Sequence, residues 1–177
     1  TTLLTHNVDT LENTLEFLGD LAVPTVGLNA LIYAGKGKSV NTGLKEEELP
    51  DLLEKANAIT QKNHQRLIWY TPTQYCHFNP VQLDLGVKGC TAALYNMCVE
   101  PNGDVLPCQS YYESLGNLLE DKWDSIWEHP LALALRNRTD VPEGCRSCEF
   151  LNECGGGCPL AREHQTIKPI NNPVLQK

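Results

Sequence analysis

Three shortages bound this chain before any motif is read. No apolar run reaches membrane length, although 41% of the 177 residues are hydrophobic, so no transmembrane helix is expected. Positive charge is also scarce: 14 Lys and Arg stand against 22 Asp and Glu, a formal net charge of -8. A surface that grips phosphates needs clustered basic residues, so nucleic acid is not an expected partner. Third, residues 1–75 contain no cysteine, and all eight lie between Cys76 and Cys158. Disulfide frameworks usually staple a whole small chain, so this clustering points to a soft-metal site instead. The chain also opens Thr-Thr-Leu-Leu with no initiator Met, and we expect it to be a piece of a longer protein.

What is present divides near Pro72. Thr1–Thr5 is short, apolar and partly β-branched, as in a strand. From Asp9 the spacing turns helical, with Leu11, Leu15, Leu18 and Leu21 on one face, Asp9 or Thr10 as N-cap, and Pro24 as terminator. Val26–Ala34 reads as a buried parallel strand, broken by Gly35-Lys36-Gly37-Lys38, which lacks the remaining residues of a phosphate loop. Lys45–Gln61 predicts a second helix whose first turn carries Glu46, Glu47 and Glu48, a solvated group that complements the helix dipole. Leu67–Tyr70 follows as a third strand. The order β-α-β-α-β calls for right-handed crossovers and a parallel sheet.

Beyond Pro72 periodicity fades. Met97–Val99 and Val105–Leu106 flank Pro101-Asn102-Gly103-Asp104, a hairpin signal in which Asn-Gly supplies positive φ at both turn positions. Leu118–Glu128 and Leu131–Arg138 predict two short helices separated by Pro130, anchored by Trp123, Ile126 and Trp127. The chain then reads Cys145-x2-Cys148-x5-Cys154-x3-Cys158, closing Cys-Gly-Gly-Gly-Cys-Pro, followed by a polar tail. The fold class expected is thus α/β followed by α+β.

Thiolates are the ligands soft metals prefer, and each short Cys spacing brings two sulfurs across one turn. Such sets hold either a tetrahedral zinc or an iron-sulfur cluster, and spacing does not separate the two. Cys158-Pro159 resembles the Cys-Pro that ends ferredoxin-type runs, which favours clusters. Cys98, inside the hairpin, is expected to be a buried structural thiol. His77, beside Cys76, is expected to make hydrogen bonds rather than bind metal.

Taken together, Cys90-x12-Gly103-x4-Cys108, the connector Leu115-Gly116-Asn117-Leu118, Ile126-Trp127 and Arg136, and the terminal cysteine run resemble the SPASM domain of radical S-adenosylmethionine enzymes. The resemblance covers about residues 76–175. It extends to peptide-modifying maturases such as the anaerobic sulfatase-maturating enzymes and the PQQ-synthesis radical enzyme. It implies a boundary near 71–72: residues 1–71 would be the last βα units of a partial (β/α)6 barrel, and residues 72–177 the SPASM domain.

The resemblance further implies auxiliary [4Fe-4S] clusters. The first would take Cys90, Cys108 and Cys158, with Cys76 as the upstream fourth ligand. The second would take Cys145, Cys148 and Cys154, its fourth ligand unassigned, because Val174 stands where the family places a late cysteine. The second cluster would then keep three thiolates and an open iron, or take a substitute such as His164 or Glu163. Asn7, Asn29 and Ile32 would lie on the S-adenosylmethionine side of the barrel. The family's Cys-x3-Cys-x2-Cys triplet, which holds the cluster that cleaves S-adenosylmethionine, does not occur in this chain. The expectation is therefore an inactive C-terminal fragment of a cytoplasmic radical enzyme. Its clusters would relay electrons or anchor a peptide or protein substrate, with flavodoxin or ferredoxin as reductant. A zinc-binding structural module and a tetrapyrrole-modifying radical enzyme are the competing expectations.

Overall fold

The structure is a computed structural model that describes residues 1–164. Two small three-stranded sheets organise it. The first is parallel, in the order β1 (Thr2–Leu3), β2 (Thr25–Ala30) and β3 (Arg66–Trp69). Its register pairs Thr2 with Asn29 and Val26 with Leu67. Helices α1 (Leu11–Asp20) and α2 (Leu49–Lys62) make the crossovers, as the alternation of periods required. Leu15, Leu28, Leu49, Leu53 and Trp69 are nearly inaccessible at the centre of this layer.

Several local expectations shift for identifiable reasons. Neither predicted N-cap closes α1: a 3-10 turn at Val8–Thr10 precedes it, and the Thr10 hydroxyl donates to the Asn7 carbonyl instead. The second strand ends at Ala30 rather than Ala34, because the Ala30 N–H is taken by the Thr71 hydroxyl at 2.8 Å. The second helix starts later than Lys45, behind a 3-10 turn at Glu46–Glu48 in which the Glu48 carboxylate accepts from the Lys45 N–H. Of that acidic trio Glu46 is not solvated but buried.

The second sheet is antiparallel, in the order β4 (Cys98–Val99), β5 (Asp104–Leu106) and β6 (Gly116–Asn117). The predicted hairpin is present, but only Gly103 of its turn has positive φ. Pro101 fixes φ near -65° at the first central position, which forbids the doubly left-handed turn; Gly103 instead donates back to the Glu100 carbonyl at 2.9 Å. The third strand ends just before the helix expected at Leu118–Glu128, and a turn takes the place of that helix's first half. The Asp121 carboxylate accepts from the Asn117 N–H and the Asn117 side chain from the Leu119 N–H, so residues 117–121 form a turn. Helix α3 then runs only over Trp123–Trp127, followed by α4 at Pro130–Asn137.

A second core gathers Ala93, Val105, Leu115, Ile126 and Ala132. Trp123 lies outside it, half exposed, contrary to its expected role as an anchor. Cys98 is only partly covered as well, since β4 is a two-residue strand on the sheet edge. Phe78 and Leu85 pack back into the first core, with the Phe78 ring edge-on to Trp69. The segment that follows β3 is therefore pinned to the parallel layer at one end. Two last short helices, α5 (Leu151–Cys154) and α6 (Pro159–His164), enclose the glycine run. Among the described residues no helix is long and apolar enough to cross a membrane.

Candidate metal centre

Cys154 terminates α5, and the three glycines behind it all adopt left-handed φ, between 63° and 75°. Three consecutive residues of this kind would be strained for anything but glycine. They turn the chain back so that Cys158 directly precedes α6. The bend also aims backbone N–H groups at sulfur: Gly156 and Gly157 donate toward Cys154, and Leu160 and Ala161 toward Cys158. Amides directed in this way favour thiolate over thiol.

Burial works in the opposite sense. It pushes the Cys154, Cys90 and Cys145 thiols upward, and it pushes Cys158 up to about 11. Buried sulfurs equipped with N–H donors but resisting ionisation are suited to a cationic group that supplies the missing positive charge. The donor set, thiols alone within a glycine cradle, fits an iron-sulfur cluster.

The cysteines fall into two groups by which charges act on which. Cys90 and Cys108 both act on Cys158, and Cys108 acts on Cys90. Separately, Cys154, Cys76 and Cys148 act on Cys145, and Cys76 acts on Cys154. Cys90, Cys108 and Cys158 thus lie near enough to feel one another's charge, and so do Cys145, Cys148, Cys154 and Cys76. No disulfide joins any of the eight cysteines. Among the described residues, no three His, Cys, Asp or Glu side chains converge on the coordination sphere of one ion.

Two arginines that sequence reasoning passed over brace this loop. Arg162 donates to the carbonyls of Gly156 (3.1 Å), Gly157 (3.4 Å) and Asp140 (2.5 Å). Arg138 donates to the Leu151 carbonyl. Both positive charges favour the thiolate of Cys90, and both line a small open cleft beside that residue. Arg136, named from its motif, serves the connector: it donates to the Trp127 carbonyl at 2.6 Å and stacks 4.1 Å over the Trp127 ring.

The remaining candidates are placed as follows. His77 does make hydrogen bonds: Cys76 first and then Glu46, 3.0 Å from Nδ1, raise it to about 10. The same Glu46 oxygen accepts from the Gln74 N–H, so a buried carboxylate organises this turn. His164 stacks on Tyr33, ring centroids 4.2 Å apart. The Glu163 charge acts on Tyr111. Asn7 and Asn29 spend their amides on Thr2, Leu4 and Ala30 at the ends of β1 and β2, and Ile32 is exposed just beyond β2. The Val174 position lies outside the described residues.

Residues 90–149 match the SPASM family, an iron-sulfur cluster-binding domain. The SPASM match thus covers Cys90, Cys108, Cys145 and Cys148 and the connector between them. Two solved structures are similar over nearly the whole chain. Native anSMEcpe with bound AdoMet, an anaerobic sulfatase-maturating enzyme, aligns at 17% identity and a TM-score of 0.59 over 94% of this chain. The same enzyme with bound AdoMet and the Kp18Cys peptide aligns at 16% and 0.57 over 94%. The chain spans about half the length of those structures, 48% and 49%. At this identity the likeness establishes the fold: a parallel and an antiparallel sheet arranged as in anSMEcpe.

Proposed function

We propose that this chain is the auxiliary-cluster portion of a radical S-adenosylmethionine enzyme that modifies a peptide or protein. The observation that carries the reading is the SPASM match over residues 90–149, which includes the partly covered thiols of Cys90, Cys108, Cys145 and Cys148. The fold shared with an enzyme solved with AdoMet and a peptide supports it. In this reading residues 1–71 close a partial (β/α)6 barrel, with Asn7, Asn29 and Ile32 toward the S-adenosylmethionine. The SPASM domain occupies residues 72–177. Flavodoxin or ferredoxin serves as reductant in the cytoplasm.

Cys90, Cys108 and Cys158 would ligate one [4Fe-4S] cluster, and Cys145, Cys148 and Cys154 the other. Clusters bound there supply an electron store or a Lewis-acidic anchor for substrate. The protein's own part is electrostatic. Peptide N–H groups at Cys154 and Cys158 disperse the sulfur charge, and Arg138 and Arg162 offset the negative charge around Cys90.

Anaerobic reconstitution of the chain with iron and sulfide tests this. The expected product is brown and contains iron and acid-labile sulfide in equal amounts, in multiples of about four. A colourless protein holding zinc without sulfide would reject the reading in favour of a structural zinc module.

A further inference from the structure

The turn after β3 approaches the cysteine run closely, and the approach is built into several residues. The Tyr75 N–H donates to the Cys154 sulfur at 3.4 Å, and that thiol faces the Thr73 carbonyl at 3.5 Å. Residues 73–75 thus bracket Cys154 from outside its own loop. The contact depends on glycine at the other side: a Cβ on Gly157 would sit 3.0 Å from the Gln74 side chain and 3.1 Å from its backbone nitrogen. The Tyr75 ring lies 6.3 Å from that of Phe150, which stands between Cys148 and Cys154 in the chain. Only the tip of Tyr75 turns the other way, its hydroxyl accepting from the Lys88 N–H at 2.9 Å.

We propose that Cys76 is the fourth thiolate of the Cys145, Cys148 and Cys154 site. The inference rests on the cluster reading above and departs from the resemblance, which assigned Cys76 to Cys90, Cys108 and Cys158. Cys76 follows directly on the backbone that touches Cys154, and its side chain is held by His77, whose ring is fixed by buried Glu46. Cys76 lies close enough to Cys145 and Cys154 for its charge to act on both. Three thiolates leave one iron of a cubane without a protein ligand, and a thiol from the preceding segment closes that site. His77 and Glu46 then act as positioning residues: they orient a ligand without touching the metal.

A double-substitution cycle on the reconstituted full chain decides the point, with iron and acid-labile sulfide per chain as readout. If Cys76 and Cys148 serve one site, Cys76→Ser and Cys148→Ser each remove the same share, roughly half when two equal clusters are bound. The Cys76→Ser/Cys148→Ser double then removes no more than either single, whereas Cys76→Ser combined with Cys90→Ser removes nearly all. The opposite pattern, additive with Cys148→Ser and not with Cys90→Ser, would overturn the assignment. So would a Cys76→Ser chain that keeps its full iron while Cys148→Ser loses half. Should Cys76→Ser misfold, stepwise chelation of the unaltered protein with thiol alkylation serves instead: Cys76 should lose protection together with Cys148 and not with Cys90. If the unaltered chain takes up zinc and no sulfide, the cluster reading fails, and the same cycle counted in zinc still decides which cysteines Cys76 joins.

Discussion

Cys154 receives N–H groups from Tyr75, Gly156 and Gly157, and two of those donors depend on a single residue's lack of a side chain. Gly157→Ala would combine a left-handed φ of 75° with a crowded Cβ. The expected cost is about 1–3 kcal/mol, read as a lower denaturation midpoint, together with faster loss of iron to a chelator. Arg162 makes a related test. Arg162→Met retains much of the apolar stem but abandons three carbonyls, with an expected loss of about 1–3 kcal/mol. Arg162→Lys should recover only part of it, because a single ammonium lacks the planar fork that spans the Gly156, Gly157 and Asp140 oxygens. Neither arginine at the loop was legible in the sequence, since a guanidinium that serves carbonyls leaves no spacing signature. Glu46 was misread for the same kind of reason: an acidic residue at a helix start looks solvated until a partner such as His77 arrives from a distant segment.

The elements were legible in proportion to how far local pattern decides them. Helices α1 and α2 followed from their leucine periods, and β2 and β3 from their apolar runs. β6 was invisible because Gly116-Asn117 has little strand propensity and exists only by pairing with Asp104 and Val105. Packing between α1 and α2 gives one test, and the exposed turn after β6 its control. Leu53→Ala, at a fully buried position, should cost about 2–5 kcal/mol, while Leu119→Ser, at a position 80% exposed, should leave the denaturation midpoint nearly unchanged. On the outer edge of the same pair, Lys62 and Asn63 hold the Glu16 carboxyl below its ordinary value. A depressed carboxylate contributes stability above its unfolded pKa and loses it as pH falls through the folded value. NMR titration should therefore show Glu16 moving back up in Lys62→Ala.

Across the molecule, residues 73–85 tie the parallel layer to the cysteine loop: Phe78 and Leu85 lie in the first core, and Thr73 and Tyr75 meet Cys154. A ligand that binds only the native loop stabilises whatever unfolds with it. Reconstitution with iron and sulfide should accordingly slow amide exchange in α2 and β3 as well as around the cysteines. Exchange that slows only beyond residue 89 would show that the two halves open independently. The grouping of the cysteines is a property of this same scale. Cys76 and Cys154 are 78 positions apart, and no spacing rule connects them.

The glycine bend sets one last constraint. Cys154 and Cys158 belong to different thiol groups yet are only four positions apart in the chain, so their Cα atoms lie no more than about 14 Å apart even for a fully extended chain. Unpaired electrons placed on either side of so short a tether would feel one another's magnetic field. The spectrum of a doubly reduced sample should then be broadened and split, rather than the plain addition of two singly reduced ones.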